Sequence, residues 1–197
     1  MQNLGLTANA ATDLNEKYYK EYGLTVIGLQ RLHGIDPMDF NQAVDENLGM
    51  NKVLSRCDKL VHFFETFDRS RVKLWLFTNA HISHGLRVTD LLGITHFFEG
   101  ITYCDYASDT WICKPSQQML AKAEREANIP PKSKCFYVDD NIKNCRAAAK
   151  RGWQVLCIAD TVPSKVAQSD AVKTITDLEE IHMIYPQFSQ RLASEAQ

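Results

Sequence analysis

Apolar residues change their spacing once along the chain, near Phe67. Before that point the repeat is helical: Leu14, Tyr18 and Tyr22 recur at four-residue steps and so share one helix face. Asp36-Pro37 predicts a helix start, an acidic cap followed by a residue whose fixed φ suits a first turn. Residues 53–67 again carry a helical period, and no clear strand is read between 12 and 67. After Phe67 the short apolar runs KLWLFT (73–78), GITYC (100–104), KCFYVD (134–139) and WQVLCI (153–158) alternate with helical stretches. Residues 83–92 end at Gly93, Pro115 is placed in a first helical turn, and residues 141–151 end at Gly152. A last strand near Val172 and a helix from Asp177 complete the pattern. Nearly continuous apolar strands joined by helices predict a parallel sheet covered on both faces, a Rossmann-like α/β fold. The period change divides the chain into a helical part, residues 1–69, and an α/β part, residues 70–197.

Composition narrows the class without changing that picture. A chain of 197 residues, 45% hydrophobic and 23% charged, matches ordinary globular proteins, which argues against disorder and fibrous architectures. A formal net charge of -2 gives no broad positive field. Nucleic acid and anionic membrane are therefore not expected partners, and any phosphate must be bound locally. The opening MQNLGLTANAATDLNEK has neither a basic leader nor an apolar core, and no later run approaches bilayer length. The expectation is a soluble, non-secreted protein, cytoplasmic or nuclear. Cys57, Cys104, Cys113, Cys135, Cys145 and Cys157 show no Cys-x-x-Cys spacing and read as reduced packing residues.

In a parallel sheet, ligands gather at the carboxyl ends of the strands. Three such places carry chemistry: Thr78-Asn79, Lys114-Pro115 before a helix, and Asp139-Asp140-Asn141. A hydroxyl with neighbouring backbone N–H groups binds phosphoryl oxygens, an ammonium offsets their charge, and paired carboxylates suit Mg²⁺. Any one of these, taken alone, reads equally well as a strand end, a solvated lysine or a helix cap. Their order carries more.

A strand ending in Thr-Asn, a Lys-Pro opening a helix, and a strand ending in Asp-Asp resemble motifs two, three and four of the haloacid dehalogenase superfamily. Response-regulator receivers use similar residues, with the acidic pair first and the lysine last, and are disfavoured by that order. The strings YYKEYGLTVIGL (18–29), LWLFTNAHISHGLRVTDLLGI (74–94), FFEGITYCDYASDTWICKP (97–115) and FYVDDNIKNCRAAAKRGW (136–153) are similar to the fungal pyrimidine 5′-nucleotidases and their lysophosphatidate-phosphatase relatives. That likeness runs from about Lys17 onward.

The resemblance implies that Thr78 and Asn79 bind the transferring phosphoryl group and that Lys114 offsets its charge. Asp140 is the first-ranked Mg²⁺ ligand. Asp139 assists through the metal's water shell or a hydrogen bond, and Asn144 adds a carbonyl-type contact. The implied reaction is hydrolysis of a small phosphomonoester, UMP or CMP, through an aspartyl-phosphate, with lysophosphatidate as the alternative substrate. Residues 1–69 would form the cap that selects the leaving group. Tyr18, Tyr19 and Tyr22 are candidates to face a base, although their helical spacing suits core packing too. His81 and His84 read as structural or exposed, while Asp105 and Asp109 either orient Lys114 or are solvated.

The superfamily's first motif, Asp-x-Asp-x-Thr at the end of a first strand, supplies nucleophile and acid/base group. No Asp-x-Asp occurs in these 197 residues. The expectation is that the chain opens after that strand. A central strand, between those ending at Thr78 and Asp139, is then missing and Mg²⁺ binding is weak. Two outcomes follow: the nucleophile lies upstream of this chain, or the product is a non-catalytic phosphate-binding or regulatory remnant.

Overall fold

The computed structural model describes residues 5–47, 49–130, 133–161 and 171–190. The chain begins with α1 (Ala8–Tyr22), α2 (Thr25–His33) and α3 (Pro37–Phe40), the last continuing as a wider π turn through Asn41–Glu46. Local chemistry sets their ends. The Thr7 hydroxyl accepts from Ala10 N, and the Asp36 carboxylate accepts from Met38 N and Asp39 N. Gly23 and Gly34 close α1 and α2 at φ 80° and 66°, a left-handed conformation that costs glycine nothing. At Gly28 the two helices approach so closely that a Cβ would fall 2.3 Å from Tyr18 Cγ.

The helix expected over 53–67 is shorter: α4 spans Asp58–Glu65. Cys57 N donates to Leu92 O at 3.1 Å, which ties the preceding segment to the end of another helix, and Val53 is 81% exposed. A long-range backbone bond thus overrides the helical period there.

Among the described residues five strands follow: β1 (Leu76–Phe77), β2 (Ile101–Thr102), β3 (Phe136–Asp139), β4 (Gln154–Ile158) and β5 (Lys173–Ile175). They form two parallel sheets, β1-β2 and β3-β4-β5, with no backbone pairing between β1 and β3 among those residues. The β1 ladder reaches beyond the strand itself. Glu99 N donates to Leu74 O, Leu76 N to Gly100 O and Thr78 N to Thr102 O.

The linking helices are α5 (Ile82–Leu92), α6 (Gln117–Glu126), α7 (Ile142–Lys150) and α8 (Glu180–Ile184). Pro115 does not sit in a first helical turn. Ser116 caps α6 by accepting from Met119 N, which leaves Pro115 just ahead of the cap. The final helix starts three residues past Asp177, because Asp177 accepts from Glu179 N and Glu180 accepts from Thr176 N, building a turn first.

Successive strand residues pack on opposite faces of the sheet, as the parallel-sheet reading requires. Tyr137, Val155 and Cys157 pack with Leu120 of α6 and with Cys145 and Ala148 of α7. The alternate residues Phe136, Val138, Leu156 and Ile158 pack instead with Phe63 of α4, Ile181 of α8 and Phe188. Both faces of the three-stranded sheet are covered, as expected for a Rossmann-like α/β fold. A third cluster joins Val26 of α2 and Phe40 of α3 to Cys104, Tyr106, Trp111 and Cys113, so the N-terminal helices rest on the loop that leads to Lys114. No helix among the described residues is long and apolar enough to cross a membrane.

Candidate functional site

β1, β3 and the loop before α6 deliver their ends to one place. Lys114 is 8% exposed, and its Nζ donates to Asp139 Oδ2 at 2.7 Å and to Phe77 O at 2.9 Å. The lysine side chain therefore spans from β1 to β3, which share no backbone pairing. Its ammonium also lies 5.1 Å from the Phe77 ring centre and 5.8 Å from that of Tyr137, within cation–π range.

Asn79 clamps the backbone of the same lysine in both directions. Its Oδ1 accepts from Lys114 N at 2.7 Å and its Nδ2 donates to Lys114 O at 3.0 Å. Tyr106 in turn donates to Asn79 O at 3.3 Å. A side-chain amide matched to the backbone of one residue on both sides fixes the lysine's position before any ligand arrives.

Asp139 is the hub. Its Oδ2 accepts from Lys114 and from the Tyr137 hydroxyl, and its Oδ1 accepts from Asn141 N at 2.8 Å and Asn144 Nδ2 at 3.0 Å. Burial opposes the charge on this carboxyl, yet the nearby Lys114 ammonium and the donated hydrogen bonds outweigh it and hold the pKa below the ordinary carboxylate value. Burial and the Asp139 charge push the Tyr137 phenol the other way, so it stays a donor.

Of the residues singled out in the sequence, Asn79, Lys114, Asp139 and Asn144 are joined by direct hydrogen bonds. Thr78 and Asp140 adjoin them in the chain without bonding to Lys114. The Thr78 hydroxyl accepts from Ala80 N at 3.0 Å, shaping the turn into α5, and Asp140 is exposed. Asp105 accepts from Ala107 N and so caps its own turn instead of orienting Lys114. His81 caps α5, sharing a 2.9 Å bond between Nδ1 and the Ser83 hydroxyl. Sequence reasoning missed Tyr137 and the reach of Asn141. The first was signalled by strand parity, since Tyr137 lies two residues before Asp139 and shares its face. Asn141 caps α7 through Lys143 N and donates to the Tyr19 hydroxyl at 2.9 Å, a contact across 122 positions that no local pattern announces.

The donor set does not by itself fit Mg²⁺, which demands about six oxygen ligands in near-octahedral geometry. Both Asp139 oxygens already accept two hydrogen bonds each, leaving Asp140 as the uncommitted carboxylate of the pair. No group of three or more His, Cys, Asp or Glu able to hold a metal occurs among the described residues.

The site is thus a buried lysine clamped between two parallel strand ends, beside an acidic pair that precedes a helix, on a Rossmann-like fold. A sequence profile described as haloacid dehalogenase-like hydrolase matches residues 10–152, and the chain belongs to that family. It is 34% identical over 157 residues to phosphate metabolism protein 8 of Saccharomyces cerevisiae, covering 76% of this chain and 49% of the yeast protein. The chain thus spans about half the length of that curated relative. Among solved structures it is similar to a haloacid dehalogenase family enzyme from Bacteroides thetaiotaomicron, an Asp12Ala mutant crystallised with magnesium and inorganic phosphate. The TM-score is 0.48 and the identity 18%, with 81% of this chain and 87% of the other covered.

Proposed function

We propose that this chain carries the phosphate-binding part of a phosphomonoesterase, of the pyrimidine 5′-nucleotidase type, acting on nucleoside monophosphates such as UMP or CMP. The observation that carries the reading is the pre-positioned Lys114. An ammonium has three N–H donors, and Lys114 commits two of them, to Phe77 O and Asp139, so the third suits a phosphoryl oxygen. Family membership and a relative named for phosphate metabolism support the same chemistry.

In this reading Thr78 and Asn79 hold the phosphoryl group beside Lys114, and the start of α5 adds backbone N–H groups and a favourable dipole. Residues 1–69 act as the cap. No Asp-x-Asp occurs in these 197 residues, so the roles assigned to this chain are phosphate binding and charge offset. Of this chain's residues, Asp140 is the one that would serve as a Mg²⁺ ligand. When bound, the ion supplies charge for the transferring phosphoryl group.

The test is phosphate release from UMP and CMP by the full-length gene product with Mg²⁺, set beside lysophosphatidate. Lys114→Ala and Asp140→Asn are each expected to abolish release, and full activity in both variants overturns the assignment. The competing reading is a phosphate-binding protein without turnover, favoured by the saturated Asp139. Turnover by residues 1–197 alone rejects that one.

A further inference from the structure

The C-terminal end of α1 lies over both of the loops that frame Lys114. A Cβ at Gly23 would come 3.7 Å from Lys114 O, and four residues earlier the Tyr19 hydroxyl receives the Asn141 amide at 2.9 Å. Asn141 follows Asp140 directly, and its own N–H is bound to Asp139. Tyr19 thus stands at the rim of the phosphate site.

The three neighbouring tyrosines have different fates. Tyr18 is 3% exposed, and its hydroxyl is bonded to His33 Nε2 at 2.7 Å. Tyr22 packs against Tyr18 at a ring-centre distance of 6.0 Å and has the Arg31 guanidinium 5.5 Å above its ring. Both are used up in holding α1 to α2. Tyr19 is 51% exposed, so its ring is tethered at the hydroxyl and open on its apolar surface. Ile142, next to Asn141, is likewise 38% exposed. An aromatic ring with few rotamers, pinned at its polar tip, offers a rigid flat surface at low entropic cost.

We propose that Tyr19 is the specificity-determining residue of this site: its ring carries the leaving group of the phosphomonoester, and it favours flat, unsaturated leaving groups over flexible aliphatic ones. This rests on the phosphate-site reading above. Stacking on an aromatic ring uses the π-face that every nucleobase has, whereas a glycerol chain offers no such face. The Asn141 bond steadies the ring, while the surface that carries the leaving group is the ring itself.

The experiment is calorimetric titration of the full chain with inorganic phosphate, UMP and glycerol 3-phosphate, for the native protein and for Tyr19→Ala and Tyr19→Phe. The native protein is expected to bind UMP more tightly than glycerol 3-phosphate. That preference falls by about tenfold in Tyr19→Ala and is largely kept in Tyr19→Phe, which retains the ring and loses the tether. A preference that survives in Tyr19→Ala overturns the proposal, and so does its equal loss in both variants, which marks a latch and not a stacking surface. Native protein that binds phosphate without preferring UMP defeats this inference alone. Native protein that binds none of the three defeats the phosphate site and this inference with it.

Discussion

Lys114 and Asp139 form an ion pair whose side chains are only 10% and 6% exposed, so each charge depends on the other and on the hydrogen bonds around them. Removing one partner strands a buried charge, at a cost of about 3–5 kcal/mol. Lys114→Met is therefore expected to lower the free energy of urea unfolding by about 3 kcal/mol, and adding Asp139→Asn to restore about half of that. A double variant as unstable as the sum of the two single ones contradicts the coupling. His182 presents the opposite electrostatic case. Its Nε2 shares a 2.7 Å bond with the Thr66 hydroxyl and its Nδ1 a 2.9 Å bond with the Ser189 hydroxyl, while burial holds its pKa below the usual 6.5. The fold favours the neutral ring. Its contribution is complete above the unfolded value and is lost as the pH falls through the depressed folded one. Melting temperatures recorded between about pH 7.5 and 5 should decline more steeply in the native protein than in His182→Gln. Parallel slopes would remove His182 from the explanation.

At the scale of elements, one close approach sets how α1 meets α2. Gly28 lies against the root of the Tyr18 side chain, where an alanine methyl would stand only 2.8 Å from Tyr18 Cβ, and a buried side-chain root cannot swing aside. Gly28→Ala is expected to cost about 1–3 kcal/mol through overpacking, despite alanine's better helix propensity. Thermal melts decide the sign, and an unchanged or raised midpoint would show that the helices can separate freely. The same pairing holds Tyr18 inward and leaves Tyr19 outward toward Asn141. α4 illustrates how packing crosses the change in hydrophobic period. Its Phe63, with Phe67 just beyond it, joins Leu156 of β4 and Ile175 of β5 in one cluster, so the helical stretch ends inside the α/β core.

For the whole molecule, the parallel strands among the described residues form two hydrogen-bonded sets, β1-β2 and β3-β4-β5, linked by side chains. Lys114 bridges Phe77 O to Asp139, and the Phe77 ring stands 5.7 Å from that of Tyr137 and 6.2 Å from that of Trp153. Side-chain bridges oppose separation less uniformly than a backbone ladder, so the two sets are expected to open with different free energies. Native-state hydrogen exchange should find the amides of Leu76 and Thr78 less protected than those of β4. Equal protection across both sets would mean that they unfold as a single unit.

The fold class was legible from local signals because burial imposes a period on each strand and helix, and turn residues mark their ends. KLWLFT, GITYC, KCFYVD and WQVLCI each contain a parallel strand, and Gly93 adopts the left-handed conformation that closes α5. The order of Thr78, Lys114 and Asp139 was equally visible, since strand ends converge in any parallel sheet. Tertiary structure alone decided which groups meet. It pairs Lys114 with Asp139 and leaves Asp140 exposed, because Asp139 shares its strand face with Tyr137. It also cut the 53–67 helix to α4 through a backbone bond to Leu92, and turned one of three tyrosines toward the site. Those choices rest on contacts between residues far apart in the chain, which neither period nor propensity encodes.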